Sequence, residues 1–312
     1  MAASLERPGS IAIVGAGAVG SYYGARLARA GEDVRFLMRG DLAAVREHGL
    51  AIKVADGNFR LHPVNASEDP SRLGPVDLVI VALKATANNS LEHLLPPLLH
   101  GGTAILTLQN GLGSDEFIAR GFGAERVLGG LCFVCLNRTG PGEIECFHPG
   151  LVNVGEFARP AGNRVERVAN AFRSAGVTCV VAGDLAEARW RKLVWNVPFN
   201  GLSIVAGAIT TDRILADSGL VATTRALMRE IQAAALALGH EIADDFLENQ
   251  IALTARMGPY KPSSLVDFLD RREVEVEAIW GEPLRRARGA GVDTPQLAIL
   301  YGRLCELCSR SI

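Results

Sequence analysis

Apolar and polar positions change rhythm once along this chain. Up to residue 183 the apolar residues come in short, nearly continuous runs: Ser10-Ile-Ala-Ile-Val14, Val34 to Met38, Val76 to Leu83 and Thr103 to Leu108. Strands buried on both faces read this way because helices cover both sides of a parallel sheet. Leu50 to Val64 alternates instead and holds Asp56-Gly57 at its centre, which predicts a hairpin. Val127 to Val154 also reads as β-structure, with turns expected at Thr139-Gly-Pro-Gly142 and His148-Pro-Gly150, and Val177 to Val181 is the last strand signal. From Asp184, a plausible N-cap, the period becomes helical: Asp184 to Ala206, Ser218 to Leu238, Asp244 to Met257, Ser263 to Asp270, Val274 to Ala290 and Thr294 to Cys308. The pattern predicts an α/β domain over residues 1–183 and an all-α domain over residues 184–312.

The first strand runs into Gly15-x-Gly17-x-x-Gly20, and a helix pattern follows from Ser21 to Ala30, closed by Gly31. In that setting the glycines have separate uses. Gly15 permits the tight turn, Gly17 lets backbone approach a pyrophosphate, and Gly20 allows close contact of helix and strand. Ala18 and Val19 lie within this loop, and the N-terminus of the helix that follows supplies oriented N–H groups to the anion. The unit is a Rossmann-type βαβ of the usual ~30-residue size, so the first domain is read as dinucleotide-binding. After the second strand an Asp or Glu would hold a ribose 2′-OH. Here Arg39 stands first, suited to a 2′-phosphate through its planar fork, with Asp41 two residues on and still able to point at a ribose. NADP is the expected cofactor.

Composition narrows the classes. With 32 Lys+Arg against 34 Asp+Glu, a formal charge of -2 and 48% hydrophobic residues, the chain can fill two ordinary cores. It offers no basic footprint for nucleic acid. No stretch reaches the ~18 uninterrupted apolar residues of a membrane helix. The N-terminus, with Glu6, Arg7 and Pro8, lacks the apolar core of a signal peptide, so a cytoplasmic protein is expected. Of six cysteines, Cys132/Cys135 and Cys305/Cys308 form C-x-x-C pairs. No His cluster accompanies them, and Cys132 and Cys135 would face opposite sides of a strand. They are read as buried structural thiols, with no metal site and no disulfide.

Lys192, Asn196 and Asn200 recur at i, i+4, i+8. On a helix that spacing drifts by only about 40° over two turns, so all three share a stripe. Such groups among Leu193, Val194, Trp195, Val197 and Phe199 are costly to bury without partners, which suggests a polar ligand in a cleft between the domains. A solvent-facing stripe is the other reading, since Pro198 can kink the helix. Reduction of a ketone by hydride leaves charge on oxygen, and an ammonium can stabilise and protonate it. Lys192 suits that task.

Val81-Ala-Leu-Lys-Ala85, Gln109-Asn-Gly111, Ala188 to Asn196, Lys-Pro-Ser at 261–263 and Glu-Val-Glu-Ala at 275–278, in this order, resemble the ketopantoate reductase (2-dehydropantoate 2-reductase) family. The resemblance spans essentially the whole chain. It implies an NADPH-dependent reduction of a 2-oxo acid, 2-dehydropantoate to pantoate, in pantothenate biosynthesis. It implies Lys192 as proton donor and Glu275 as the carboxylate that orients the ammonium and holds a substrate hydroxyl. Glu273, Glu275 and Glu277 alternate, so the residues alone would equally allow a solvated helix face. Lys84 is placed against the cofactor, Asn110 between nicotinamide and substrate, and Asn196 and Asn200 at the substrate. The spacing to Asp267 points to Ser263 at the substrate carboxylate, with Ser264 as the fallback. Where the family carries further Asn residues this chain has Thr210 and Tyr260, which leaves a smaller or differently polar pocket. A related dehydrogenase of another hydroxy acid and a catalytically silent NADP-binding redox sensor are the competing readings. A sensor would need the phosphate loop but no proton donor. The apolar surface of the helical half would serve a homodimer or its own core equally.

Overall fold

The structure, a computed structural model, describes residues 9–309; the polar lead-in read at residues 1–8 and the domain limits at 1 and 312 lie outside the described residues. The chain divides into two compact units. One comprises residues up to 109 together with 114–185, and the other comprises Asn110–Gly113 with the chain from Ala186 onward. The four-residue segment that joins the helical unit was not expected from the sequence.

The first unit is built on strands β1 (Ser10–Val14), β2 (Asp33–Leu37), β3 (Leu50–Val54), β4 (Phe59–Leu61), β5 (Ala66–Ser67), β6 (Leu78–Val81), β7 (Ala104–Thr107), β8 (Val127–Gly140), β9 (Glu143–Glu156) and β10 (Thr178–Val181). They form a ten-stranded sheet in the order β4-β3-β9-β8-β7-β6-β1-β2-β5, with β10 also on β9. β1 lies between β2 and β6 and is parallel to both. The helices are α1 (Ala18–Arg29), α2 (Leu42–His48), α3 (Leu91–Leu94), α4 (Ser114–Phe122) and α5 (Asn163–Ser174). The apolar runs are buried as their composition requires: Ile11 to Val14 and Leu78 to Val81 are sealed on both faces. The hairpin at Asp56-Gly57 is present as antiparallel β3 and β4.

The turn expected at His148-Pro-Gly150 does not form. β9 continues through it, and the register against β8 shifts from Phe133↔Leu151 to Cys135↔His148. The extra residue is absorbed as a bulge. Pro149 has no N–H for the ladder, and Gly150, at φ 50°, lies so close to the Phe133 carbonyl that no side chain fits. The bulge also divides the outer edge of β9. Its first half pairs with β3 and its second half with β10.

The helical unit contains α6 (Leu185–Val205), α7 (Thr211–Ala216), α8 (Ser218–Ala237), α9 (Asp244–Ala255), α10 (Ser263–Leu269), α11 (Glu282–Gly289) and α12 (Pro295–Ser309). Trp190, Phe199, Leu227, Met228 and Trp280 fill its core. The indole N–H of Trp280 donates to the Val197 carbonyl at 2.9 Å. The helix expected over Val274 to Ala290 is shorter and of two kinds. Residues Glu277–Gly281 make a π turn, and α11 follows it. Pro283, in the first turn of α11, has no N–H to offer the turn's ladder.

None of the six cysteines is in a disulfide. Cys146 and Cys179 are buried, but Cys132, Cys135, Cys305 and Cys308 are only half-buried, a correction to the buried thiols expected. Burial pushes the Cys179 thiol up to about 12. Among the described residues there is no group of His, Cys, Asp or Glu that could hold a metal, and no helix long and apolar enough to cross a membrane.

Candidate active site

In the first unit, β1 is followed by Gly15, whose φ of 99° lies in the left-handed region open to glycine. A Cβ there would stand 2.6 Å from the backbone nitrogen of Leu83, so the loops after β1 and β6 press together. These two strands diverge to opposite neighbours, and ligands of open α/β sheets bind outside the carboxyl ends of strands at such a switch point. Gly20 is closed in as well: a Cβ would meet the Gly15 carbonyl oxygen at 2.1 Å and Ile13 Cγ2 at 2.9 Å. Gly17 is the opposite case. It is exposed, and a Cβ would meet nothing within 4 Å. Gly17 caps α1, and the helical ladder begins with Ser21 N–H donating to its carbonyl at 2.9 Å. The N–H groups of Ala18, Val19 and Gly20 thus lie in the first turn, where no intrahelical carbonyl takes them.

Arg39 is exposed just past β2, and its carbonyl accepts the Leu42 N–H at 3.2 Å. Asp41 is not available as the sequence allowed. Arg138, at the far end of β8, grips both its oxygens, donating from Nε at 2.9 Å, and the Gly142 N–H adds a bond at 3.0 Å. Its side chain is 11% exposed. Burial pushes the carboxyl's pKa up, but the bonds from Arg138 and Gly142 outweigh that and hold it below its ordinary value. Because the folded value is depressed, Asp41 stabilises the fold above the ordinary carboxylate range near about pH 4 and that contribution is lost as pH falls through it. Asp41→Asn is expected to lower the urea midpoint at pH 7 and to flatten its decline between about pH 5 and 3. Equal pH slopes for the two proteins would rule the contribution out. Lys84 follows β6 and opens a 3₁₀ segment, Ala85–Ser90.

In the helical unit, α6 carries the Lys192, Asn196, Asn200 stripe, and the solvent-facing reading fails. Asn196 is 7% and Asn200 1% exposed, with Lys192 half-buried. Lys192 Nζ donates to Asn110 Oδ1 at 2.8 Å, and Asn110 Nδ2 makes a long contact of 3.5 Å with Glu275 Oε2. Of the alternating glutamates, Glu273 and Glu277 are exposed while Glu275 is buried, just before the π turn rather than within a helix. Asn200 Oδ1 accepts the Ser264 N–H at 2.9 Å. Ser264 is therefore buried, and its neighbour Ser263 is exposed at the start of α10. Thr210 and Tyr260 are brought together. The Thr211 N–H donates to the Tyr260 carbonyl at 3.0 Å, and the Thr210 hydroxyl donates to Asp212. The Tyr260 ring lies 6.2 Å from that of Trp195.

Gly15, Gly17, Gly20, Arg39 and Lys84 belong to the first unit, and Lys192, Asn110 and Glu275 form one chain of polar contacts in the second. That chain places an ammonium, an amide and a carboxylate in series, a set able to hold and protonate a carbonyl oxygen. Sequence reasoning missed Gly111, at φ 77°, whose turn aims Asn110. The Asn110-Gly111 dipeptide is itself a turn signal and could have exposed it. It also missed the polar chain in which Thr107 Oγ1 donates to Gln109 Oε1 at 2.9 Å and Gln109 Nε2 to Asn88 Oδ1 at 2.8 Å.

Comparison with known proteins gives a consistent result. Residues 11–159 match the family model described as Ketopantoate reductase PanE/ApbA, and residues 184–307 match its C-terminal counterpart. A 2-dehydropantoate 2-reductase of Nostoc sp. is 41% identical over 305 residues, covering 96% of this chain and 95% of the relative. One of Mesorhizobium japonicum is 32% identical, covering 86% and 88%. The crystal structure of 2-dehydropantoate 2-reductase from Geobacter metallireducens superposes with a TM-score of 0.93 at 43% identity, over 97% of this chain and 100% of the other. A D-mandelate dehydrogenase with NADH shares the fold at 22% identity and a TM-score of 0.88.

Proposed function

Because the chain belongs to the ketopantoate reductase family, we propose that it reduces 2-dehydropantoate to pantoate with NADPH. The observation that carries this is the contact of Lys192 with Asn110, and of Asn110 with Glu275, beside the buried Asn196 and Asn200. The residues present fit the cofactor. The open side of Gly17 leaves room for a pyrophosphate against the first turn of α1, while Gly15 and Gly20 keep that turn tight. The N–H groups of Ala18, Val19 and Gly20 would take the phosphate oxygens. Arg39 would take the 2′-phosphate, and with Asp41 held by Arg138 no carboxylate opposes it there. Lys84 and Asn110 would contact the nicotinamide half. When bound, NADPH supplies the hydride.

The chain's own residues supply the rest. The Lys192 ammonium donates a hydrogen bond to the ketone oxygen and gives up its proton as negative charge develops there, so the carbonyl becomes a hydroxyl and Lys192 is left neutral until solvent reprotonates it. Asn110 holds the ammonium in place. Glu275 accepts the 4-hydroxyl of the substrate, which fixes the ketone relative to Lys192. Asn196, Asn200 and Ser263, with Ser264 as the alternative to Ser263, bind the remaining polar groups. Such a reductase works in the cytoplasm, in pantothenate biosynthesis. A silent redox sensor is disfavoured because nothing in that role needs a half-buried lysine and amide in series with a buried carboxylate, and the match to named reductases disfavours a dehydrogenase of another hydroxy acid. NADPH oxidation across a panel of 2-oxo acids tests the reading. The greatest kcat/KM is expected for 2-dehydropantoate, and turnover of none of the panel would refute it.

Arg39→Ala is expected to raise the NADPH Kd roughly 10- to 150-fold, the loss of one charge-assisted hydrogen bond of about 1.5–3 kcal/mol. The NADH Kd should hardly move. Fluorescence titration with both nucleotides decides it, and equal weakening of the two would show that Arg39 does not read the 2′-phosphate.

A further inference from the structure

The π turn at Glu277–Gly281 frees a carbonyl. Its ladder is of the i, i+5 kind, since the Glu282 N–H donates to the Glu277 carbonyl. In an α-helix that same N–H would belong to the Ala278 carbonyl. In the π register the Ala278 carbonyl would look to residue 283, which is proline and has no N–H. The turn therefore leaves the Ala278 carbonyl without a donor from its own helix, and a buried carbonyl needs one. The donor comes from far along the chain: Leu112 N–H reaches it at 2.9 Å. Beside that bond, Gly111 lies flat on the turn. A Cβ at Gly111 would stand 2.2 Å from the Ala278 oxygen and 2.4 Å from its carbonyl carbon. Its φ of 77° also lies in the region that side chains resist. One residue earlier, Asn110 meets Lys192 and Glu275. π turns are frequent at functional sites, and here the turn begins two residues after Glu275.

We propose that Pro283 and Gly111 are positioning residues for the reduction: Pro283 frees the Ala278 carbonyl as a dock for the Leu112 N–H, and Gly111 lets the loop lie close enough for Asn110 to bridge Lys192 and Glu275. Neither residue touches substrate. They act through Asn110 alone. The proposal rests on the reductase reading given above for the role of Asn110, but its structural half does not.

Two variants separate the parts. Gly111→Ala is expected to lower kcat about 10- to 150-fold, the worth of one hydrogen bond to a charged group. It should do so by the same factor as Asn110→Ala, and in the Asn110→Ala background it should cost almost nothing more, because the residue it positions is already gone. A merely structural defect would instead multiply. Pro283→Ala restores an N–H at 283 without forcing a new backbone angle, so the Ala278 carbonyl regains a donor within its own helix. Amide exchange over residues 110–113 should then quicken while the melting temperature stays close to that of the parent. This readout needs no turnover and survives even if Gly111→Ala does not fold. Losses that multiply in the double variant, or unchanged exchange at 110–113 in Pro283→Ala, would overturn the proposal. A parent protein that turns over none of the 2-oxo acid panel with NADPH would refute the reductase reading, and the positioning role would fall with it.

Discussion

Lys192→Ala lowers kcat by about 10²–10⁴-fold, the range for loss of a general acid, and leaves NADPH binding intact. The expectation rests on where the ammonium sits. Lys192 is half-buried on α6 and held by Asn110 at 2.8 Å, so its proton is aimed before substrate arrives. Its bond to the ketone strengthens as the oxygen gains charge, and an interaction stronger in the transition state than in the ground state shows in kcat as well as in KM. The phosphate loop and Arg39 belong to the other unit, so cofactor affinity gives an internal control. Glu275→Ala should also impair turnover, mainly through loss of substrate orientation, with a smaller effect on kcat than on KM. Steady-state kinetics with 2-dehydropantoate, alongside an NADPH titration, decide the matter. Near-parental kcat in Lys192→Ala, or a defect confined to NADPH affinity, would move the proton donor elsewhere.

The second large effect is in the glycine loop, where two neighbouring substitutions should behave differently. Gly20→Ala puts a methyl group 2.1 Å from the Gly15 oxygen, and the loop cannot recede because Gly15 is pressed on the backbone at Leu83. The strain of such overpacking is about 1–3 kcal/mol, and the re-aimed N–H groups lose the phosphate as well. Two charge-assisted bonds at about 1.5–3 kcal/mol each would raise the NADPH Kd by roughly 10² or more. Gly17→Ala meets nothing within 4 Å, so the protein should melt as the parent does. Its methyl group nevertheless occupies the face that a pyrophosphate would approach. Loss of affinity without loss of stability in Gly17→Ala, against loss of both in Gly20→Ala, is the expected pair of results from thermal melts and titration. Parental NADPH affinity in Gly17→Ala would mean that the phosphates lie elsewhere.

Local pattern was enough for some of this and not for the rest. Runs such as Leu78 to Val81 announce themselves because a strand covered on both faces has no polar side to show. The Lys192, Asn196, Asn200 stripe is legible because helical period alone puts the three on one face. The helix α5 was equally readable, with Val165, Val168, Ala169 and Phe172 at helical spacing and all buried, yet the strand-rich rhythm around it hides it. Other features depend on partners that no local pattern names. Asp41 looks free to meet a ribose until Arg138 closes on it from β8. Which serine of Ser263 and Ser264 is buried depends on Asn200, whose oxygen takes the backbone of the second. The carbonyl freed by the π turn is met by the Leu112 N–H from far along the chain, a partner no local pattern names.

The membership of Asn110–Gly113 in the helical unit also bears on how such proteins can be recombined. The change of texture at residue 183 invites a crossover there, joining the sheet half of one reductase to the helical half of another. Such a hybrid would carry Asn110, Gly111 and Leu112 from one parent and the Lys192, Glu275 and Ala278 that they meet from the other. Hybrids should therefore retain activity according to the match between the short segment at 110–113 and the turn at 277–281, more than according to overall identity. Transplanting those four residues together with the helical half would restore what a single crossover separates.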